Sequence, residues 1–143
     1  IAAIFVVDQH PSPALLLLLL AWVFFWEIGG QNVPADWNDT AEDKRVNAKT
    51  IPLQLGTQKA GIIVLITLGL TVIISMFLPI TSPLKLGIPY MLASAAAGFA
   101  LLLIPGYRLY RTQEGRGAAA LFDKASYYPM AHLIIVSIFI LLK

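Results

Sequence analysis

Cysteine is missing from this sequence, histidine occurs only twice, and charged side chains make up 13% of its 143 residues. Without thiols there is no disulfide framework, no thiolate metal site and no cysteine nucleophile. The scarcity of charge excludes more. Soluble domains carry roughly 25% charged and about 45–50% apolar residues, whereas 58% of this chain is hydrophobic. Ten cations against eight anions leave a net charge of +2, too small to argue for nucleic acid as a partner. By composition this is an integral membrane protein. The marks of a secretory leader are also missing. No basic segment precedes "ALLLLLLAWVFFW" and no small-residue cleavage site follows it, so this run reads as a membrane span.

What the sequence does have is a succession of apolar runs, each near the roughly 20 residues that carry a helix across about 30 Å of hydrocarbon. They place spans at about 13–30, 59–80, 86–106 and 127–142. The expected architecture is all-α and multi-pass, with about four transmembrane helices. Pro11 and Pro13 open the first span and Gly29-Gly30 closes it, while "PITSPLKLG" forms the turn after the second. The fourth is short for a span unless it is tilted or helped by the residues before it. The opening "IAAIFVV" looks like the tail of an earlier helix, so residues 1–143 read as the C-terminal portion of one longer membrane domain.

Most individual side chains in the spans have structural readings. Trp22, Trp26, Tyr127 and Tyr128 are candidate interface aromatics that face lipid or pack between helices. The small residues of "ASAAAGFA" allow close helix approach, which gives Ser94 and Gly98 a packing role. His132 reads as hydrogen-bonded between helices, and His10 has no assigned role. Glu27 lies inside a span near its polar end, where an ionisable residue is either functional or snorkels to the interface.

Cations set the orientation. Lys44, Arg45 and Lys49, with Lys59 at their edge, separate the first two spans; Arg108, Arg111, Arg116 and Lys124 separate the last two. The connection between the second and third spans has only Lys85, and Lys143 is a lone exception at the end. By the positive-inside rule the two charged segments are cytoplasmic. Arg108 and Arg111 need no further explanation than that rule.

The cytoplasmic segment 31–58 contains "NVPADWNDTAEDKRVNAKTIP". Asp36, Asp39 and Asp43 are spaced i, i+3, i+7, which puts them within about 60° on one helical face, with Asn47 on the same stripe. Pro34 suits an early helical turn, and Pro52 limits the helix at its other end. Like charges so stacked repel, and Lys44 alone does not neutralise three carboxylates. No His or Cys joins the cluster, which argues against zinc, and the spacing is not that of a calcium loop. Hard oxygen ligands in a row suit Mg²⁺ holding phosphate oxygens, with Lys44 and Lys49 available to phosphate charge. A solvated acidic loop beside lipid headgroups is the alternative reading of the same spacing.

The same residues resemble the second aspartate-rich motif of UbiA-type intramembrane prenyltransferases. That motif reads D-x-x-D-x-x-x-D, followed by Thr/Ser-x-Pro and a glycine, here Asp36, Asp39, Asp43, Thr50-Ile51-Pro52 and Gly56. "WEIGGQN" resembles the polar end of the family's sixth helix, and "LFDKASYYPMAHL" the entry to its last. The resemblance implies that the four spans are helices six to nine of a nine-helix bundle. It implies further that Asp36, Asp39 and Asp43 are catalytic Mg²⁺ ligands, with Lys44, Lys49 and Asn32 facing the diphosphate of a polyprenyl donor. Allyl cation character then develops at the prenyl carbon, and a hydrophobic acceptor in the membrane attacks it. The family's first aspartate motif is not in this sequence, so the missing N-terminal helices are implied partners and the chain alone is expected to be inactive. Asn47 departs from the glycine many relatives carry. Two other classes compete: a transporter or channel fragment with an acidic cation vestibule, and a scaffold whose loop binds a basic partner. Glu27 is the only acid well inside a span, which disfavours an ion pathway.

The topology has a direct test, and the chain contributes no cysteine of its own to the background. Single cysteines replacing Thr40 and Ser82 should label from opposite faces of the membrane, Thr40→Cys from the cytoplasm. Labelling of both from one face would remove the span drawn at 59–80.

Overall fold

The structure, a computed structural model, describes residues 12–81 and 86–142. The stretch with His10 and Pro11, the turn residues Ser82 and Lys85, and Lys143 lie outside the described residues. In chain order the helices are α1 (Pro13–Asn38), the short α2 (Thr40–Arg45) and α3 (Ile51–Leu55), then α4 (Thr57–Thr81), α5 (Ile88–Thr112) and α6 (Gly115–Leu141). The four long helices are apolar enough to cross a membrane, and no strand occurs among the described residues. The all-α multi-pass class expected from hydropathy is what the chain adopts.

Three helices run further than hydropathy suggests, α5 by continuing past Gly106 to Thr112. Gly29-Gly30 does not end α1, which continues through a wider π turn, Glu27–Asn32, and on to Asn38. The two glycines are buried, because they let α1 press against its neighbours. A Cβ on Gly30 would meet the Ala125 Cβ at 2.9 Å, and one on Gly29 would meet the Leu68 side chain at 3.0 Å. At the other end of the chain, α6 begins at Gly115 rather than near Tyr127. Its first half buries Ala118, Leu121 and Ala125 but exposes Arg116, Phe122 and Lys124. That mixed surface lowers the hydropathy without interrupting the helix.

The core gathers Val33 and Trp37 from α1, Ala60, Val64, Leu68 and Val72 from α4, Leu102 and Leu109 from α5, and Ala118, Leu121, Ala125 and Tyr128 from α6. Helix α4 packs against both α1 and α5, and α6 packs against α5 and the end of α1. Gly98 admits Val72 of α4 so closely that an added Cβ would collide with it, as expected for a small-residue contact. Outward-facing Leu17, Phe24, Ile66, Ile73, Leu133 and Ile138 remain exposed, a surface suited to hydrocarbon.

Prolines set the hydrogen-bond accounting. A proline within a helix offers no N–H to the carbonyl four residues earlier, and hydrocarbon offers no water in its place. Pro13, Pro52 and Pro89 sit in first turns, where this is harmless. Pro34, Pro79 and Pro129 do not, and each of the carbonyls they leave is served by a side chain. The Gly30 carbonyl accepts from Gln31 Nε2 at 3.0 Å, the Ser75 carbonyl from the Tyr90 hydroxyl at 3.0 Å, and the Ala125 carbonyl from Trp26 Nε1 at 2.9 Å. Pro105 is handled differently, by a second π turn, Phe99–Leu103, just before it.

The Ser75 site extends into a polar cluster between α4, α5 and α6. Ser75 Oγ donates to the Val72 carbonyl at 2.7 Å and accepts from the Tyr128 hydroxyl at 2.9 Å. Its single proton is then committed, so the 2.9 Å contact with Ser94 Oγ has Ser94 as donor. The same argument applies to Tyr90, which gives its proton to the Ser75 carbonyl and accepts from His132 Nε2 at 2.9 Å. Ser94 is therefore a hydrogen-bonding residue as well as a small one. Tyr128, a candidate interface aromatic by sequence, is fully buried, and only Tyr127 faces outward.

Tyr90→Phe should destabilise the bundle by about 1 kcal/mol in detergent unfolding. In a Pro79→Ala background, where the new alanine supplies an N–H to the Ser75 carbonyl, that loss should fall by at least half. Equal losses in both backgrounds would show that the hydroxyl does not serve the proline-freed carbonyl.

Candidate functional site

The aspartate segment is the continuation of the first span, anchored by alternate side chains. Val33, Pro34 and Trp37 are buried, Trp37 with only 3% of its surface exposed, while Asn38 and Asp39 turn outward. Upstream, Gln31 Nε2 also reaches Ser126 Oγ at 3.3 Å and the Phe122 carbonyl at 3.4 Å. Trp26, Gly30 and Gln31 thus fix the end of α1 against α6, and through it the position of the acids. Gln31 and Ser126 carried no expectation from sequence, because neither stands in a motif.

The three aspartates do not share one straight helix. Asp39 lies at a break, with φ −97° and ψ 11°, between α1 and α2. Its carbonyl accepts from the amides of Glu42 and Asp43 at 2.9 and 3.0 Å, which starts α2 in a new direction. The half-buried Asp36 carboxylate lies in the field of both Asp43 and Asp39. Asp43 has one carboxylate oxygen, Oδ2, buried without a hydrogen-bond partner. Asp39 is exposed and accepts from the Asn38 side-chain amide at 3.1 Å.

Asp39 also lines a recess of about 300 Å³ with Pro34, Ala35, Asn38, Ala119, Phe122 and Asp123. Asp123, from α6, is a carboxylate beside the motif that spacing alone could not place there. It lies far along the chain, and only the packing of α6 on α1 brings it near.

The segment after the acids turns back sharply. Asn47 has φ 54°, a left-handed conformation in which glycine is at ease and asparagine is among the better-tolerated substitutes. This takes Asn47 off the acidic stripe. The Ala48 amide bonds back to the Asp43 carbonyl at 2.9 Å, and Thr50 Oγ1 is a second buried oxygen without a partner. Gly56, at φ 81°, makes the turn into α4.

The other candidate residues are dispersed. Asn32, Lys44 and Lys49 are all exposed, and Glu27 is exposed at the start of the π turn. Among the described residues no three histidine, cysteine, aspartate or glutamate side chains converge closely enough to enclose a metal ion by themselves. What the geometry does supply is an anionic face, Asp36 beside Asp43 with Asp39 at its edge, carrying oxygens that the protein leaves uncommitted. Such hard oxygen donors fit a small divalent cation whose remaining ligands come from elsewhere.

No curated protein and no solved structure matches this chain. The sequence profile of the UbiA prenyltransferase family matches residues 1–135, which include the aspartate segment and all but the end of the last span. The chain belongs to the UbiA prenyltransferase family.

Proposed function

We propose that this membrane prenyltransferase uses Asp36, Asp39 and Asp43 to hold Mg²⁺ against the diphosphate of a polyprenyl donor. It then transfers the polyprenyl group to an aromatic or other lipid-precursor acceptor within the bilayer. The observation that carries the reading is the buried Asp43 Oδ2 without a hydrogen-bond partner, on a segment where the charges of Asp43 and Asp39 act on Asp36. Two acids held close without a basic side chain between them repel, and a cation relieves that repulsion while giving the buried oxygen its missing partner. Bound Mg²⁺ supplies charge neutralisation for the leaving diphosphate.

The chain's own residues do the rest by position and charge. Lys44 and Lys49, exposed on the same segment, meet diphosphate oxygens directly, and Asn32, one turn before Asp36, offers an amide donor. As the allylic C–O bond breaks, its electron pair leaves with the diphosphate, and the cationic side chains stabilise that developing charge. The acceptor's electron pair then forms the new bond to the prenyl carbon, and the acceptor gives up its proton. The apolar spans hold both hydrophobic substrates out of water, so that positioning replaces a chance encounter. The cation distribution supports a cytoplasmic position for this aspartate end, where a charged diphosphate is delivered from water.

Asp39→Ala in the complete protein, with the N-terminal helices that carry the first aspartate motif, should lower prenyl-transfer efficiency at least about 100-fold, a larger loss than outer-shell changes at metal sites give, with insertion and expression intact. Near-wild-type turnover at limiting Mg²⁺ would remove the ligand assignment. A second measurement needs no substrate. Asp43→Asn keeps the side-chain shape and removes one charge, so it should raise the thermal midpoint in EDTA by relieving repulsion with Asp36. It should also abolish the stabilisation that added Mg²⁺ gives the wild type. Mg²⁺ stabilisation undiminished in the variant would mean that the ion binds elsewhere.

A further inference from the structure

A second feature lies on α5, away from the acids. Phe99, Leu103 and Tyr107 recur every four residues, and with Ile104, Arg108 and Leu65 of α4 they line an apolar groove of about 570 Å³. Phe99 and Tyr107 are more than half exposed, so the groove opens outward, and the π turn Phe99–Leu103 forms one wall. Its chemistry is graded along the helix. Hydrocarbon side chains occupy the part within the span, while Tyr107 and Arg108 stand at the end where α5 approaches its C-terminus. Thr57 Oγ1 bonds Gln113 Oε1 at 2.6 Å, which puts that end at the same side of the bundle as the start of α4 and the aspartate segment. Arg111, one turn beyond Arg108, is exposed as well. Among the described residues no acidic side chain lines the groove.

We propose that this groove is a binding site for one anionic phospholipid, its acyl chain along Leu65, Phe99 and Leu103 and its phosphate at the Arg108 guanidinium. Charge complementarity selects the occupant. A long apolar channel ending in a fork-shaped cation matches an acyl chain ending in a phosphodiester, and a headgroup without a compensating ammonium keeps its full attraction to that cation. Tyr107 stands at the depth where interfacial aromatics meet headgroups. The site is separate from the aspartate face and does not depend on the prenyl-transfer mechanism.

Native mass spectrometry tests it on protein reconstituted with equal amounts of phosphatidylglycerol and phosphatidylcholine, then released into mild detergent. One phosphatidylglycerol should be retained in preference to phosphatidylcholine. Arg108→Gln should lower that retention roughly fivefold, the factor expected for one cation near a headgroup. Leu103→Trp, which fills the groove, should lower retention of either lipid. Arg116→Gln, which removes an exposed cation outside the groove, should leave retention unchanged. Equal loss in Arg108→Gln and Arg116→Gln would overturn the proposal in favour of general surface charge. Equal retention of the two lipids would remove the role of Arg108. Displacement of the retained lipid by a soluble-chain prenyl diphosphate would reassign the groove to the donor.

Discussion

A carbonyl without a donor inside hydrocarbon is costly enough to dictate structure, and this chain creates three of them with Pro34, Pro79 and Pro129. Each is answered by a specific side chain: Gln31, Tyr90 and Trp26. Two of those answers cross between helices, Tyr90 of α5 to α4 and Trp26 of α1 to α6. Apolar contacts between membrane helices have little hydrophobic drive, because lipid is as apolar as leucine. Hydrogen bonds to proline-freed carbonyls therefore do what a soluble core would leave to water exclusion. They make particular pairs of helices meet at particular levels.

That accounting reaches the aspartates. Trp26 and Gln31 fasten the polar end of α1 to α6, and buried Gly29 and Gly30 allow the close approach this requires. The π turn from Glu27 to Asn32 rotates the last turns of α1, so that Val33, Pro34 and Trp37 enter the core and the acids do not. The break at Asp39 then sets Asp43 on a separate helix from Asp36. An unbroken helix would have stacked the three carboxylates in a row. The broken one leaves Asp36 and Asp43 half-buried on separate helices and turns Asp39 towards the recess shared with Asp123.

The two π turns are used for different ends. Each immediately precedes a helical segment that opens with a proline, Pro34 or Pro105. The first sets the direction of the acidic segment. The second borders the outward groove that ends at Arg108. One solution to a backbone problem thus shapes both regions where charge meets the apolar part of the molecule.

Composition and pattern were enough to establish an all-helical membrane protein with four spans, because hydrocarbon admits so few backbone solutions that hydropathy reads almost directly as structure. The resemblance of Asp36 to Gly56 to an aspartate-rich motif could be seen for the same kind of reason: residue type and spacing survive in one dimension. Helix ends were not. Gly29-Gly30 has the composition of a terminus but serves close packing, and the start of α6 is hidden by its exposed Arg116 and Lys124. Nor was it legible that Asp39 breaks the helix between Asp36 and Asp43, that Asn47 stands in a left-handed turn, or that Asp123 borders the aspartate segment. Those facts depend on backbone direction at single residues and on which helix lies opposite, and both are settled only when distant carbonyls, prolines and small residues meet in the packed bundle.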